Sequence, residues 1–150
     1  MSHQFSDFIY IVEPQDKEFV VSTHNGLVGD GYKAEIGARK TGMYISYSHP
    51  KTKRAFLHLF FRSGKLQSRV YTEGQKNYAD FIDKLPEEQE QRISEVRKCN
   101  GCAPTCTKGY ALSIRGNEYY PCRYYAFHLD VNKTTKPIIL DLIKLEKASR

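Results

Sequence analysis

Alternation of apolar and polar residues is clearest in the middle of the chain. Residues 43–48 and 65–71 alternate with the two-residue period of a half-buried strand, whereas residues 54–62 carry apolar side chains on both faces, as a central strand does. Turn-forming residues separate the three runs, with Ser63-Gly64 as the tighter of the two turns. Links this short cannot form parallel crossovers, so the pattern predicts a three-stranded antiparallel meander over residues 43–72.

Helical periodicity follows in the second half of the chain. Residues 75–85 place apolar side chains at i, i+3, i+4 and i+7, which form one face of a helix. Pro86 and the acidic residues after it favour the start of a second helix, which is predicted to run into Cys99. Thr134 or Thr135 is predicted to cap a final helix with a broad apolar stripe.

Shorter signals predict the N-terminal elements. Residues 8–12 are β-type apolar residues and predict a short strand, while residues 19–21 predict either a strand or a short helix. The three glycines of residues 25–31 predict a loop. Gly37 and Gly42 are expected to interrupt the stretch that follows.

The C-terminal third adds a hairpin and one more strand. Arg115-Gly116-Asn117 lies between two β-type runs and predicts the hairpin turn, and residues 124–131 predict the strand. Together the elements predict an α+β fold, in which an antiparallel sheet has helices packed on one side. A chain of 150 residues fits a single domain over 1–150, with the cysteine-rich stretch of about 99–128 as a subregion.

All four cysteines fall within one short segment, with the spacing C-x2-C-x3-C-x15-C. Zinc takes four tetrahedral sulfur or nitrogen ligands, and a C-x2-C turn presents two thiolates to one ion. The spacing therefore predicts a structural zinc site formed by Cys99, Cys102, Cys106 and Cys122. Three alternatives stay open: an iron–sulfur cluster, a redox pair of Cys99 and Cys102, and thiols that are free or disulfide-bonded. His128 could replace one ligand but is predicted to be a strand residue.

The net charge of +6 is concentrated in one part of the chain. Residues 31–70 hold nine lysines and arginines against a single acid, Glu35. Such a density favours an anionic partner through long-range attraction, and either nucleic acid or a phosphorylated small molecule would fit. The competing interpretation is a solubilising surface. The predicted ligand-binding residues are Lys51, Lys53, Arg54, His58, Arg62 and Arg69.

The predicted central strand offers a specific arrangement for such a partner. Alternation places five of its residues on one face: Arg54, Phe56, His58, Phe60 and Arg62. Arg69 and Tyr71 would extend this face from the next strand, and aromatic rings between cations can stack bases and bind phosphates. The sequence favours a simpler interpretation, in which Phe56 and Phe60 pack under a helix and the arginines surround the core.

The N-terminal sequence lacks the basic and apolar regions of a signal peptide, and no apolar run approaches the ~20 residues of a transmembrane helix. We therefore expect a cytoplasmic protein without a membrane partner. Thiols stay reduced in the cytoplasm, which favours metal ligands or redox groups over a disulfide framework.

No catalytic motif is recognisable. The chain has no H-E-x-x-H, no phosphate-binding glycine loop and no Ser/His/Asp set in a known frame. The predicted function is therefore a zinc-stabilised binding domain with a basic surface for an anionic ligand. One alternative is a small-molecule enzyme with a pocket between sheet and helices, lined by Tyr44, Tyr47, His58 and Arg62. Another is a thiol-based redox or metal sensor.

Two stretches of the chain are distinctive: SYSHPKTKRAFLHLFFRSGK at 46–65 and CAPTCTKGY…GNEYYPCRYYAF at 102–127. Both resemble stretches of a family of small bacterial proteins of unknown function. The clearest motif is C-x3-C-x-K-G-Y followed by Y-x-x-C-R-Y. The resemblance implies a cytoplasmic bacterial protein with a cysteine cluster, and it implies no activity.

Overall fold

The computed structural model describes residues 2–72, 83–95, 112–121 and 126–149. Within these ranges the elements are α1 (Phe5–Ile11), α2 (Pro14–Gly29), β1 (Lys33–Arg39), β2 (Gly42–Ser48), β3 (Ala55–Arg62), β4 (Lys65–Tyr71), α3 (Glu87–Ser94), β5 (Leu112–Ile114), β6 (Asn117–Tyr119), β7 (Ala126–Asp130) and α4 (Thr135–Ser149). Five strands form one sheet in the order β1-β2-β3-β4-β7, and β5 pairs with β6. The predicted α+β class, the meander and the C-terminal hairpin are confirmed.

The chain divides into two compact units. The first comprises Met1–Val70 and His128–Lys136, and the second comprises Tyr71–Phe127 and Pro137–Arg150. The largest fully buried side chains of the first unit are Phe8, Leu27, Ile45, Tyr47, Phe56, Leu57, Leu59 and Leu129. Those of the second unit are Leu85, Ile114 and Phe127. None of the described helices is long and apolar enough to span a bilayer.

Helix α1 occupies most of the stretch predicted as a strand at residues 8–12, so that prediction is wrong. Phe8 and Val12, four residues apart, are 0% and 3% exposed, whereas Tyr10 between them is 85% exposed. This spacing matches one face of a helix rather than one face of a strand, so tertiary packing overrides the β preference of the residues. Residues 19–21 likewise lie in a helix, inside α2.

Helix α2 continues through most of the loop predicted at residues 25–31. A glycine such as Gly26 costs a helix about 1 kcal/mol relative to alanine. Its neighbour Leu27 is 1% exposed, and burying a leucine side chain contributes about 1.5–3 kcal/mol, which is more than the glycine costs. The helix ends just before Gly31, where φ is +88° and the N–H of Tyr32 donates to the Leu27 carbonyl at 3.0 Å.

Strand β1 passes through Gly37 without interruption, contrary to the expectation that glycines break this stretch. It pairs antiparallel with β2 from Lys33↔Ser48 to Arg39↔Gly42, so only a two-residue loop joins the two strands. The meander therefore has four strands rather than three, with β1 at its edge.

Strand β7 flanks β4 on the other side of the sheet. The N–H of Val131 donates to the Leu66 carbonyl at 3.0 Å, and the Ser68 hydroxyl donates to the Leu129 carbonyl at 2.9 Å. Residue numbers rise along one strand as they fall along the other, so this pair is antiparallel as well. The predicted last strand is confirmed.

In the second unit, one carboxylate anchors the β5–β6 hairpin to α3. Glu90 accepts three hydrogen bonds, from Asn117 at 3.1 Å, Arg115 at 2.7 Å and Tyr119 at 2.9 Å. These hydrogen bonds hold the pKa of Glu90 below its ordinary value. The hairpin turn itself has positive φ at both central residues, +49° at Arg115 and +82° at Gly116, which suits the twist of the strands.

Helix α3 follows Pro86, as predicted, and is described as far as Ser94. Its predicted continuation to Cys99 lies outside the described residues. The helix predicted over residues 75–85 also lies outside them, except for residues 83–85, which form a turn and a bend.

Helix α4 is confirmed, although a different residue supplies its cap. The side-chain oxygen of Asn132, rather than a threonine hydroxyl, accepts the N–H groups of Thr134 and Thr135, both at 2.9 Å. In the first turn, Lys136 forms an ion pair with Asp16 at 2.7 Å. The start of α4 is therefore tied to the first turn of α2.

Candidate functional site

The sheet of the first unit has two chemically different faces. On one face, Phe8 of α1 packs against Phe61 of β3, with ring centroids 5.3 Å apart, and His24 of α2 packs against Tyr47 of β2. Because side chains alternate along a strand, the neighbours of Phe61 and Tyr47 belong to the other face. We call that face the basic face. Its charged, aromatic and amide side chains include Glu35, Arg39, Tyr44, His58, Phe60, Arg62, Lys65, Gln67, Arg69 and His128.

Strand register arranges the basic face in rows. Tyr44 on β2 lies opposite Phe60 on β3, so two rings form the central row. Arg69 belongs to the row on one side of the rings, and Arg39 and Arg62 belong to the row on the other side. Adjacent strands are about 4.8 Å apart and alternate residues of a strand about 6.7 Å apart, so each arginine is a close neighbour of one of the two rings.

Guanidinium groups lie over both rings. The guanidinium carbon of Arg39 is 4.6 Å from the centroid of the Tyr44 ring, and those of Arg62 and Arg69 are 5.6 Å and 5.2 Å from the centroid of Phe60. Each such cation–π contact contributes about 0.5–1 kcal/mol at an exposed site. Among the residues that the structure describes, no carboxylate forms an ion pair with these three arginines. Three positive charges from three strands therefore share a small area.

A glycine explains how the Tyr44 ring lies on the sheet. Gly37 on β1 is the register partner of Tyr44. A Cβ atom on Gly37 would lie 2.6 Å from the Tyr44 hydroxyl oxygen and 2.7 Å from its Cζ. The ring thus lies across the bare backbone of β1, which is the kind of close approach that a glycine inside a strand often marks.

His58 is a neutral member of the basic face. Burial first, and then the charges of Arg69 and Arg39, lower the pKa of His58 to about 4, against a smaller opposing effect of Glu35. At neutral pH the imidazole therefore adds no charge. An anion bound nearby would raise this pKa, because it favours the charged form of the ring.

His128 extends the row of rings onto β7. Its Nε2 lies 2.7 Å from the side-chain oxygen of Gln67, and its ring centroid lies 5.5 Å from that of Phe60. With the amide oxygen as acceptor, Nε2 carries the proton. His128 is thus a strand residue, as predicted, and its place beside Phe60 was not foreseen.

The predicted ligand-binding residues fall into two groups. His58, Arg62 and Arg69 belong to the basic face, whereas Lys51, Lys53 and Arg54 lie in the turn between β2 and β3. Arg54 lies just before β3, and Arg62 is its last residue. The eight positions between them correspond to about 26 Å of extended chain. The structure therefore does not bring the two groups together.

The β2–β3 turn is held by His49, whose Nδ1 accepts the N–H groups of Lys51 and Thr52, both at 3.2 Å. Lys53 has a φ of +61°, and its ammonium donates to the Pro50 carbonyl at 2.7 Å. One of the cations predicted to contact a ligand is thus engaged within the turn itself, which makes the turn a weaker candidate than the basic face.

Phe56 does not belong to the basic face, contrary to the prediction. The pairing of β2 and β3 shifts register between Tyr47 and Ser48, and Phe56 is fully buried with its ring 4.7 Å from that of Tyr32. Phe60 differs, because it is half-buried beside two arginines on the face away from α1 and α2. Phe60 therefore does not fit the simpler interpretation, in which both phenylalanine rings pack under a helix.

The four residues predicted to line an enzyme pocket do not share a face. Tyr44, His58 and Arg62 belong to the basic face, whereas Tyr47 is fully buried on the helix side, with its hydroxyl 2.8 Å from Nδ1 of His24. Burial raises the pKa of Tyr47. The depression on the basic face has a volume of about 40 Å³, whereas small-molecule pockets occupy ~300–1,000 Å³. The basic face is a surface rather than a pocket.

A larger cavity, of about 320 Å³, lies near the β3–β4 turn. Glu13, Asp16 and Asp130 contribute carboxylates to its lining, and Asp16 is paired with Lys136. Its described lining contains no histidine, cysteine or arginine, and none of the predicted site residues. The larger cavity is therefore not the place where the arginines and aromatic rings lie, which is the basic face.

The sequence did not predict that Arg39 and Tyr44 lie together on the basic face. The reason is that β1 was not predicted. The signal was present, because residues 33–39 alternate polar and apolar side chains, and only Gly37 argued against a strand.

The predicted zinc ligands Cys99, Cys102, Cys106 and Cys122 lie outside the described residues. In the part of the chain that the structure describes, no group of three or more His, Cys, Asp or Glu residues is arranged to hold a metal ion. The zinc site and the resemblance to small bacterial proteins therefore stay predictions from the sequence. Comparison of the chain with protein-family models, with curated proteins and with solved structures finds no match.

Proposed function

We propose that the protein is a binding module whose basic face holds a phosphate-bearing ligand, and that a structural zinc ion stabilises the cysteine-rich part of the chain. The first part rests on one observation. Arg39, Arg62 and Arg69, from three different strands, surround the rings of Tyr44 and Phe60 on a half-buried sheet face.

The chemistry of the three guanidinium groups favours phosphate. Each group offers a rigid fork of N–H donors that matches phosphate oxygens bidentately. Like charges on one face also repel one another, and an anion with more than one negative charge relieves that repulsion. The arrangement therefore suits a polyanion better than a single carboxylate.

Binding fits the basic face better than catalysis does. The depression, with a volume of about 40 Å³, is too small to enclose a reacting group and exclude water from it. Of the two histidines on this face, His58 has a pKa of about 4, which leaves it poorly matched to acid–base catalysis at pH 7.

Inorganic polyphosphate, which has phosphates and no bases, is the probe for this proposal. We expect calorimetry to show binding that weakens steeply between about 50 and about 200 mM salt. The Arg62→Gln/Arg69→Gln variant should lose most of that affinity, because two of the three phosphate-binding forks are gone.

The matched control for this experiment is Lys51→Gln/Arg54→Gln, which removes the same formal charge from the β2–β3 turn. This control should keep most of the affinity for polyphosphate. An equal loss in both variants, or wild-type binding that salt leaves unchanged, would show that the basic face is not the binding site.

The zinc proposal rests on the cysteine spacing C-x2-C-x3-C-x15-C. We expect elemental analysis of the purified protein to find about one zinc per chain, and thiol counting to find the cysteines protected until a chelator is added. Iron in the sample would favour the iron–sulfur alternative instead. Four reactive thiols without metal would contradict the proposal and leave the thiol-based sensor open.

A further inference from the structure

We infer that the ligand of the basic face is a single-stranded nucleic acid, which stacks two neighbouring bases on Tyr44 and Phe60 while its phosphates bind the arginines. This inference rests on the proposed function and adds the class of ligand. The polyanion argument requires only the arginines, whereas the rings need a ligand with flat apolar groups between its charges.

The two rings are placed for neighbouring bases. Tyr44 and Phe60 lie opposite each other on adjacent strands, so their Cβ atoms are about 4.5–5.5 Å apart. Base–aromatic stacking contributes about 1–3 kcal/mol per base and tolerates any base, because every base has a π face. The ring of His128, 5.5 Å from Phe60, continues the row toward the edge of the sheet.

The contacts in the free protein can exchange for contacts with the ligand. Arg39 covers Tyr44, and Arg62 and Arg69 cover Phe60. Each of these contacts is worth about 0.5–1 kcal/mol, whereas a stacked base is worth about 1–3 kcal/mol. A base therefore displaces a guanidinium group from a ring, and the released group binds the phosphate beside that base with a charge-assisted hydrogen bond.

The shape of the site selects among nucleic acids. The bases of a duplex are stacked on one another, so a duplex offers only phosphates to an open sheet face, whereas a single strand offers both groups. A single nucleotide would find only a depression of about 40 Å³, which cannot enclose it. The expected ligand is therefore an extended strand of several nucleotides.

Variants of the two rings test the inference separately from the charges. We expect Tyr44→Leu and Phe60→Leu each to weaken the binding of fluorescein-labelled oligothymidylate and oligouridylate by roughly 5- to 150-fold, which corresponds to the loss of one stacked base. Their affinity for inorganic polyphosphate should fall much less than their affinity for the oligonucleotides, because all three arginines remain. Tyr10→Leu, which removes a ring that is 85% exposed on α1, is the matched control and should change neither affinity.

A duplex of equal length should bind more weakly than either oligonucleotide. Oligonucleotide binding that is unaffected in both ring variants, or a duplex that binds as tightly as the single strand, overturns the inference. If polyphosphate binding still depends on Arg62 and Arg69 in that case, the proposed function stands without it. If neither probe depends on these arginines, both fail.

A measurement on the wild-type protein covers the case in which a ring variant does not fold. Stacked bases shift the NMR signals of the protons on the ring they cover. Addition of oligothymidylate should therefore move the signals of Tyr44 and Phe60 upfield, whereas polyphosphate should not. Ring signals that stay in place with saturating oligothymidylate overturn the inference as well.

Discussion

Replacing Gly42 with alanine should lower the free energy of unfolding by about 2–5 kcal/mol, the largest effect that we expect from adding a single methyl group. Gly42 has a φ of +137°, which residues other than glycine rarely adopt. An added Cβ would also lie 2.9 Å from the Cβ and 3.0 Å from the carbonyl oxygen of Phe61. These atoms belong to the central strand and cannot move aside as a flexible side chain would.

Gly64→Ala separates backbone strain from steric clash in this experiment. Gly64 also has positive φ, +75°, but a Cβ added there meets nothing within 4 Å. We expect this variant to lose only about 1–2 kcal/mol. Urea denaturation of both variants and of the wild type measures the difference. Equal losses at Gly42 and Gly64 would mean that the contact with Phe61 relaxes and that strain alone acts.

Acidification from pH 7 to pH 4 should destabilise the protein through His58. The pKa of this residue is about 4 in the folded chain and 6.5 as its ordinary value. Between these two values the unfolded chain binds a proton that the folded chain does not, so the contribution to stability is complete above about pH 6.5 and is lost as the pH falls toward 4. An unscreened effect would be about 3 kcal/mol, and solvent around the partly exposed ring reduces it to about 1–2 kcal/mol.

The difference between wild type and His58→Gln isolates this contribution from the other titrating groups. Unfolding free energies at pH 7, 5 and 4 should converge for the two proteins, or cross, as the pH falls, because the variant lacks the titrating imidazole. His3→Gln, which changes an exposed histidine near the N-terminus, should follow the wild type instead. A pH-independent difference between wild type and His58→Gln would contradict the low pKa.

His58 also links this pH dependence to the binding proposal. A polyanion bound to Arg39, Arg62 and Arg69 would offset the two positive charges that depress the pKa of His58. We therefore expect an NMR titration with saturating polyphosphate to give a higher pKa for His58 than a titration of the free protein. An unchanged value would place the ligand away from the basic face.

Much of the fold could be predicted from local patterns because the patterns and the packing agree there. Residues 43–72 alternate with turns between the runs, and the structure has the predicted meander. The hairpin turn at Arg115-Gly116 has positive φ at both residues. Gly116 is the residue type that such a turn favours, and Arg115 is not. Pro86 directly precedes α3, and the preference of proline for helix starts needs no tertiary contact.

The errors fall where burial overrides a local preference. Residues 8–12 have β-type side chains, but Phe8 and Val12 are buried with a helical spacing. Gly26 disfavours a helix, but Leu27 beside it is buried and keeps α2 continuous. Gly37 disfavours a strand, yet the Tyr44 ring fills the space that its missing side chain leaves. In each case the compensating contact comes from a residue on another element, which local patterns do not contain.

The sequence by itself determined the α+β class, the order of most strands and the concentration of positive charge in residues 31–70. It could not determine which of those charges act together. Lys51 and Arg62 belong to the same basic segment, but the length of β3 holds them far apart, while Arg39 on β1 joins Arg62 and Arg69 on β3 and β4. Strand register decides which charges lie together, because a shift of one residue would move every ring and every guanidinium group to the opposite face.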